Sequence, residues 1–142
     1  MRTALTAATL LLLASAAEAV MPPEVYQKAR ADAPFHVQVA ISDVALPEAT
    51  PSSCIVSGEV VRIFRGAAGA IAVGDKIEFP ISCSRKGDRV PIGGVLWTNA
   101  DALADARFVE AYLIGSKPSF DVALYQSQII AAPSETPQLP AD

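Results

Sequence analysis

The scarcest chemistry-bearing residues in this 142-residue chain are its one histidine, His36, and its two cysteines, Cys54 and Cys83. A lone imidazole works as a general base or a ligand only beside a nucleophile, a carboxylate or a second ligand. No spacing in the sequence ties such a group to His36. It falls on the polar side of an alternating segment and reads as a solvated strand residue. A hydrolase would have to be built on it, and neither a G-x-S-x-G elbow nor an S-x-x-K pair is present to supply the serine. Two cysteines with 28 residues between them and a single histidine make a poor metal site, so no metal is expected. In an exported chain they read as one disulfide. Its closure would stabilise the fold by roughly 3–4 kcal/mol in the chain-entropy model.

Three further constellations bear on function. The stretch 69–76, Gly-Ala-Ile-Ala-Val-Gly-Asp-Lys, resembles a phosphate loop only superficially. Asp75 stands between glycine and lysine, and Ile77 replaces the hydroxyl residue that the motif requires. A turn before a strand accounts for it. Asp101 and Asp105 lie four apart on one expected helix, where they repel each other and read as a solvated face. Arg62, Arg65, Arg85, Lys86 and Arg89 form the main basic concentration. Brought together, they would make an anion-binding patch on a barrel surface. Nucleic-acid binders interleave stacking aromatics with such charge, and only Phe64 is nearby, so nucleic acid is not an expected partner. No motif calls for a cofactor.

These residues need elements to hold them, and the N-terminus indicates where the elements fold. Arg2 precedes an apolar run, residues 4–17, with Leu10, Leu11, Leu12 and Leu13 at its centre. Ala17-Glu18-Ala19 then provides a small-x-small cleavage site, so residues 1–19 read as a signal peptide. The run is short for a membrane span. The remaining 123 residues suit one domain with a real core. They keep the net charge of −4. Mild acidity without charge blocks argues against nucleic acid and anionic membrane as partners, and no membrane insertion is expected after cleavage. The expected location is periplasmic or secreted.

Residues 20–34 predict a short helix, with Pro22 and Pro23 at its start, Glu24 at the positive end of the dipole and Pro34 stopping it. Val25 and Ala29 would dock it on the domain. Residues 35–46 alternate, with Val37, Val39 and Ile41 on one face and His36, Gln38 and Ser42 on the other. Residues 54–65 form a second strand, apolar on both faces in its second half, where Gly58 hints at a bulge. Residues 76–84 alternate cleanly, and Pro80 argues for an edge or a bulge. A helix starting at Thr98 or Asn99 runs to about Arg107. Strands over 108–115 and 120–130 follow. Pro133, Pro137 and Pro140 mark 131–142 as a flexible tail.

Five strands with a helix between the third and fourth is the order of an OB-type barrel. The expected fold is therefore all-β, a five-stranded OB-like Greek-key barrel over residues 35–130. The segments Val60-Val61-Arg62-Ile63-Phe64-Arg65-Gly66, Val73-Gly74-Asp75-Lys76-Ile77 and Glu110-Ala111-Tyr112-Leu113-Ile114, with Cys83 after the middle one, carry a resemblance. They are similar to landmarks of netrin-like domains, the group that includes the tissue inhibitors of metalloproteinases. The resemblance implies an OB-type fold and a binding role. It does not carry inhibition across, because the zinc-chelating N-terminal cysteine of those inhibitors has no counterpart at Val20.

Together these readings predict an exported, non-catalytic binding module for a protein or a small anionic ligand. Its surface would be the barrel rim and the loops 66–74 and 85–91. The alternatives are a small periplasmic hydrolase using His36 and an accessory envelope protein acting through its tail.

Overall fold

A computed structural model describes residues 21–140. The signal-peptide reading falls outside these residues. Among the described residues, no helix is long and apolar enough to cross a membrane. The elements run α1 (Pro23–Asp32), β1 (Phe35–Ala45), β2 (Ser52–Arg65), β3 (Lys76–Ser84), β4 (Thr98–Asn99), α2 (Ala100–Asp105), β5 (Phe108–Ser116) and β6 (Ser119–Ile130). Antiparallel pairing joins β2 to β1, β1 to β5 and β5 to β6. β2 also pairs with β3, and a parallel contact between Glu78 of β3 and Ser119 of β6 closes the ring. With the two-residue β4 set aside, this is the five-stranded OB-like barrel that the element order predicts.

Bulges make closure possible. Between β1 and β2 the register slips at three places, which leaves Phe64 and Val61 of β2 and Ser42 of β1 unpaired. Each slip increases local twist and resets which residues face inward. That is why the second half of β2 is apolar on both faces. The bend expected at Gly58 takes the form of the Ser42 bulge lying opposite it. Gly58 is required there: a Cβ would stand 2.3 Å from the Ala40 carbonyl oxygen.

The barrel is filled by the inward stripes of its strands. Val37 and Val39 of β1 meet Val56 and Val60 of β2, Ile77, Phe79 and Ile81 of β3, and Val109, Ala111 and Leu113 of β5. Phe35 and Phe120 pack edge to face, with ring centroids 5.3 Å apart. Cys54 and Cys83 belong to this core and form the expected disulfide, with Cα atoms 5.9 Å apart. Ser52 pairs with Cys83 and Cys54 with Ile81, so the bridge crosses the β2–β3 ladder diagonally. Pro80 lies between the points where β3 meets β6 and β4, in a gap where its missing N–H costs no ladder bond.

Helix α2 is shorter than expected and stops at Asp105. Asn99 is its N-cap, with Oδ1 accepting from the Ala102 N–H at 2.8 Å. Helix α1 departs further from expectation. It buries none of its residues, and Val25 remains exposed. It is held by polar contacts instead. The Tyr26 hydroxyl donates to the Gly94 carbonyl at 2.6 Å, and Arg30 Nη1 donates to Gln126 Oε1 at 2.6 Å.

Candidate functional site

The alternation of β1 places His36 and Gln38 outside the barrel. The expectation that His36 is solvated is corrected by the structure: it is only 2 % exposed, and Gln38 beside it is also buried. Directly across the ladder, Gln38 faces Glu110 and His36 faces Tyr112 of β5. Glu110 is fully buried and is the hub of the group. Its Oε1 accepts from His36 Nε2 at 2.7 Å and from the Leu139 N–H at 2.9 Å. Its Oε2 accepts from Gln38 Nε2 at 2.7 Å and from the Gln138 N–H at 2.9 Å. Four donors thus meet the four lone-pair directions of a carboxylate, the condition under which burying one is tolerable.

The expected flexible tail is what covers this face. Residues 131–140 fold back over β1 and β5. Ser134 gives its N–H to Gln38 Oε1 at 2.9 Å and accepts from Gln38 Nε2 at 2.9 Å. The Tyr112 hydroxyl donates to the Pro140 carbonyl at 2.8 Å. Leu139 packs with Ala33, Tyr112 and Ala123 in a small cluster separate from the barrel core. Prolines there reflect a backbone held by side chains of the barrel wall, not a loose end.

His36 is walled in from several sides. Its ring stacks on Tyr112 at 3.8 Å and leans on Phe64 at 4.9 Å. Burial pushes the imidazole below its ordinary value near 6.5, against the opposing pull of Glu110. The neutral ring donates through Nε2 to the carboxylate, which fixes its tautomer. This geometry orients a carboxylate and a strand pair. It presents no base to an incoming substrate.

The five basic residues do not converge. Because β2 and β3 are antiparallel, the loop after Ser84 lies near the start of β2, while Arg62 and Arg65 are at its far end. The separation is ten residues of strand or more, roughly 30 Å at about 3.3 Å per residue before coiling. Arg65 caps α1: its Nη1 donates to the carbonyls of Arg30 at 2.7 Å and Ala33 at 2.8 Å, where a cation complements the helix dipole. Arg62 is half-buried on β2 opposite Gln38. Arg85 pairs with the exposed Asp101 at 3.2 Å. Lys86 and Arg89 are exposed in the loop.

That loop, residues 85–97, is the most conspicuous surface feature. Its tip residue Ile92 is 90 % exposed, and Val90 and Leu96 beside it are also exposed. The loop is positioned at both ends. The Arg85 N–H donates to Asp88 Oδ2 at 2.6 Å, which holds the Asp88 carboxyl below its usual range. At the other end, Gly94 receives the Tyr26 hydroxyl and lies against Met21. The apolar character of 92–97 is visible in the sequence, but its exposure is not.

The loop 66–74 is the turn expected before a strand. The Ala72 N–H donates to Asp75 Oδ2 at 2.8 Å, and Lys117 pairs with the same carboxylate at 3.1 Å. Both contacts pull the Asp75 carboxyl below its ordinary value, the backbone bond most strongly. Next to it is an open cleft of about 410 Å³, whose lining includes Ser42, Ser57, Glu59, Lys76 and Glu78. It holds hydroxyls, two carboxylates and an ammonium, with no nucleophile joined to a base. Among the described residues, no cluster of three or more histidine, cysteine or acidic residues could hold a metal ion. Neither a protein-family model nor a curated protein matches the chain.

Proposed function

We propose that this chain is an exported, non-catalytic binding module that engages a protein partner through the loop 85–97. The observation that carries the reading is Ile92, a large aliphatic side chain held 90 % exposed between Val90 and Leu96 on an anchored loop. Exposed apolar side chains concentrated within one loop are candidates for an interaction site. Ties at Asp88 and Gly94 restrict the loop on either side of Ile92, which lowers the entropy lost on docking. Lys86 and Arg89 at the edge favour a partner whose apolar socket is rimmed by carboxylates.

Two further observations support the reading. The disulfide fits an oxidising compartment, as the export signal at residues 1–19 implies. The enclosure of His36 counts against the hydrolase alternative, which depends on that imidazole as its base. The OB-type barrel is also the architecture that the netrin-like resemblance implies. The separation of Arg62 and Arg65 from the loop favours a protein partner over a small anion bound by all five cations.

The test is site-specific photo-crosslinking in the native envelope, with the reactive group at position 92 or, as a control, at the exposed position 48. The proposal expects one discrete adduct from position 92 only, lost on charge reversal at Lys86 and Arg89. Equal labelling from both positions, or an adduct indifferent to the charge reversal, would sink it.

A further inference from the structure

We infer that the outer face of β1 and β5 is a peptide-binding groove, occupied in cis by residues 134–140, and that its ligands share the pattern Ser-x-x-Pro-Gln-Leu-Pro. This goes beyond the loop reading and does not depend on it.

The contacts are those of a receptor and its peptide. Glu110 takes two consecutive main-chain amides, those of Gln138 and Leu139. Gln38 takes the Ser134 amide and hydroxyl, and Tyr112 binds the Pro140 carbonyl. Main-chain contacts of this kind provide affinity for many sequences, while side-chain pockets provide selectivity. The selective positions are Leu139, buried with Ala33, Tyr112 and Ala123, and Ser134, gripped by Gln38. The prolines fit the same logic. Residues 133, 137 and 140 have no amide hydrogen, and the amides used are those of 134, 138 and 139. The segment is also shaped for release as a unit. Gln138 Nε2 binds the Ala132 carbonyl and the Ser134 hydroxyl, and that hydroxyl donates to the Thr136 carbonyl, so the turn carries much of its own cohesion.

Two observations fit a segment that can leave its groove with the barrel intact. The barrel core contains no residue of the segment, and Leu139 belongs to a separate cluster. The connection from β6, residues 131–133, is exposed and would give way without disturbing the ladder. Tethering provides the cis segment with a millimolar effective concentration, enough to hold a ligand of modest intrinsic affinity in place.

The probe is a fluorescent synthetic peptide of residues 131–142. A protease site inserted after Ala131 allows the segment to be cut and washed from the otherwise complete protein. The cleaved protein is expected to bind the probe saturably, while the uncut protein binds it roughly 100-fold more weakly because its own segment competes. A probe carrying Leu139→Asp should bind the cleaved protein at least about tenfold more weakly, and this arm leaves the protein unaltered. Glu110→Gln in the protein should weaken the normal probe. A cleaved protein that loses its cooperative unfolding transition would show the segment to be structural, and a cleaved protein that stays folded yet ignores the probe would show the face not to be a receptor. Either result overturns the inference.

Discussion

Replacing Glu110 with alanine tests the account of the buried polar face directly. The carboxylate accepts from His36, Gln38, Gln138 and Leu139, all within 2.9 Å. Alanine orphans the His36 ring N–H and one of the two Gln38 amide N–H groups, both enclosed, at about 1–3 kcal/mol each, while the other Gln38 N–H keeps the Ser134 hydroxyl. The two main-chain donors can reach water only if the segment lifts, and lifting exposes Leu139 at a further cost of about 1.5–3 kcal/mol. Some of these losses overlap, since a lifted segment also admits water to Gln38. The expected destabilisation is therefore about 4 kcal/mol, a large part of the roughly 5–15 kcal/mol that holds a domain together. Glu110→Gln keeps one acceptor oxygen but turns an amide donor toward two of the four donors, and should cost about half as much. Equilibrium urea denaturation with an unchanged slope measures both. A loss under about 1 kcal/mol for the alanine variant would mean that the four bonds are not formed as described, and the account of this face would have to be abandoned.

Two more predictions concern stability. Because burial lowers the His36 value, stability from this group is complete above the unfolded value near 6.5 and is lost as pH falls through the folded value. One such proton gives a slope of up to about 1.4 kcal/mol per pH unit, so unfolding midpoints from pH 7 to 5 should decline, and His36→Gln should flatten that decline. A variant whose pH dependence matches the unaltered protein would assign the decline to other groups. Replacing Cys54 and Cys83 together with alanine should cost roughly 3–4 kcal/mol, given a separation of 29, and reductant should have no further effect on that variant. Calorimetry of both forms checks this.

Particular residues show what the sequence could and could not disclose. The period-2 pattern of β1 correctly separates Val37 and Val39 from His36 and Gln38, but a period says only that two faces differ. What covers the second face is a segment that meets Gln38 from 96 residues further on, and no local pattern announces it. Glu110 was visible only as a neighbour of landmark residues, because nothing in its surroundings distinguishes a buried hub from a surface carboxylate. The separation of Arg62 and Arg65 from Arg85, Lys86 and Arg89 was within reach. Once Cys54 and Cys83 are joined across antiparallel strands, the loop after β3 must lie beside the start of β2. The proline-rich end misled for a physical reason: proline and small polar residues signal the lack of a helix or strand, and a segment gripped through its main-chain amides needs neither.

The disulfide has a consequence for the order of events in the life of the chain. Both cysteines are fully enclosed in the barrel core, so neither an oxidant nor a reductant reaches the sulfurs while the wall is shut. The bond must form before β2 and β3 finish closing around it. It can afterwards be broken only when they part. Its rate of reduction under native conditions is therefore a clock for the opening of the barrel, and oxidation during biogenesis must fall after β2 and β3 have paired far enough to bring the sulfurs together and before the wall shuts over them.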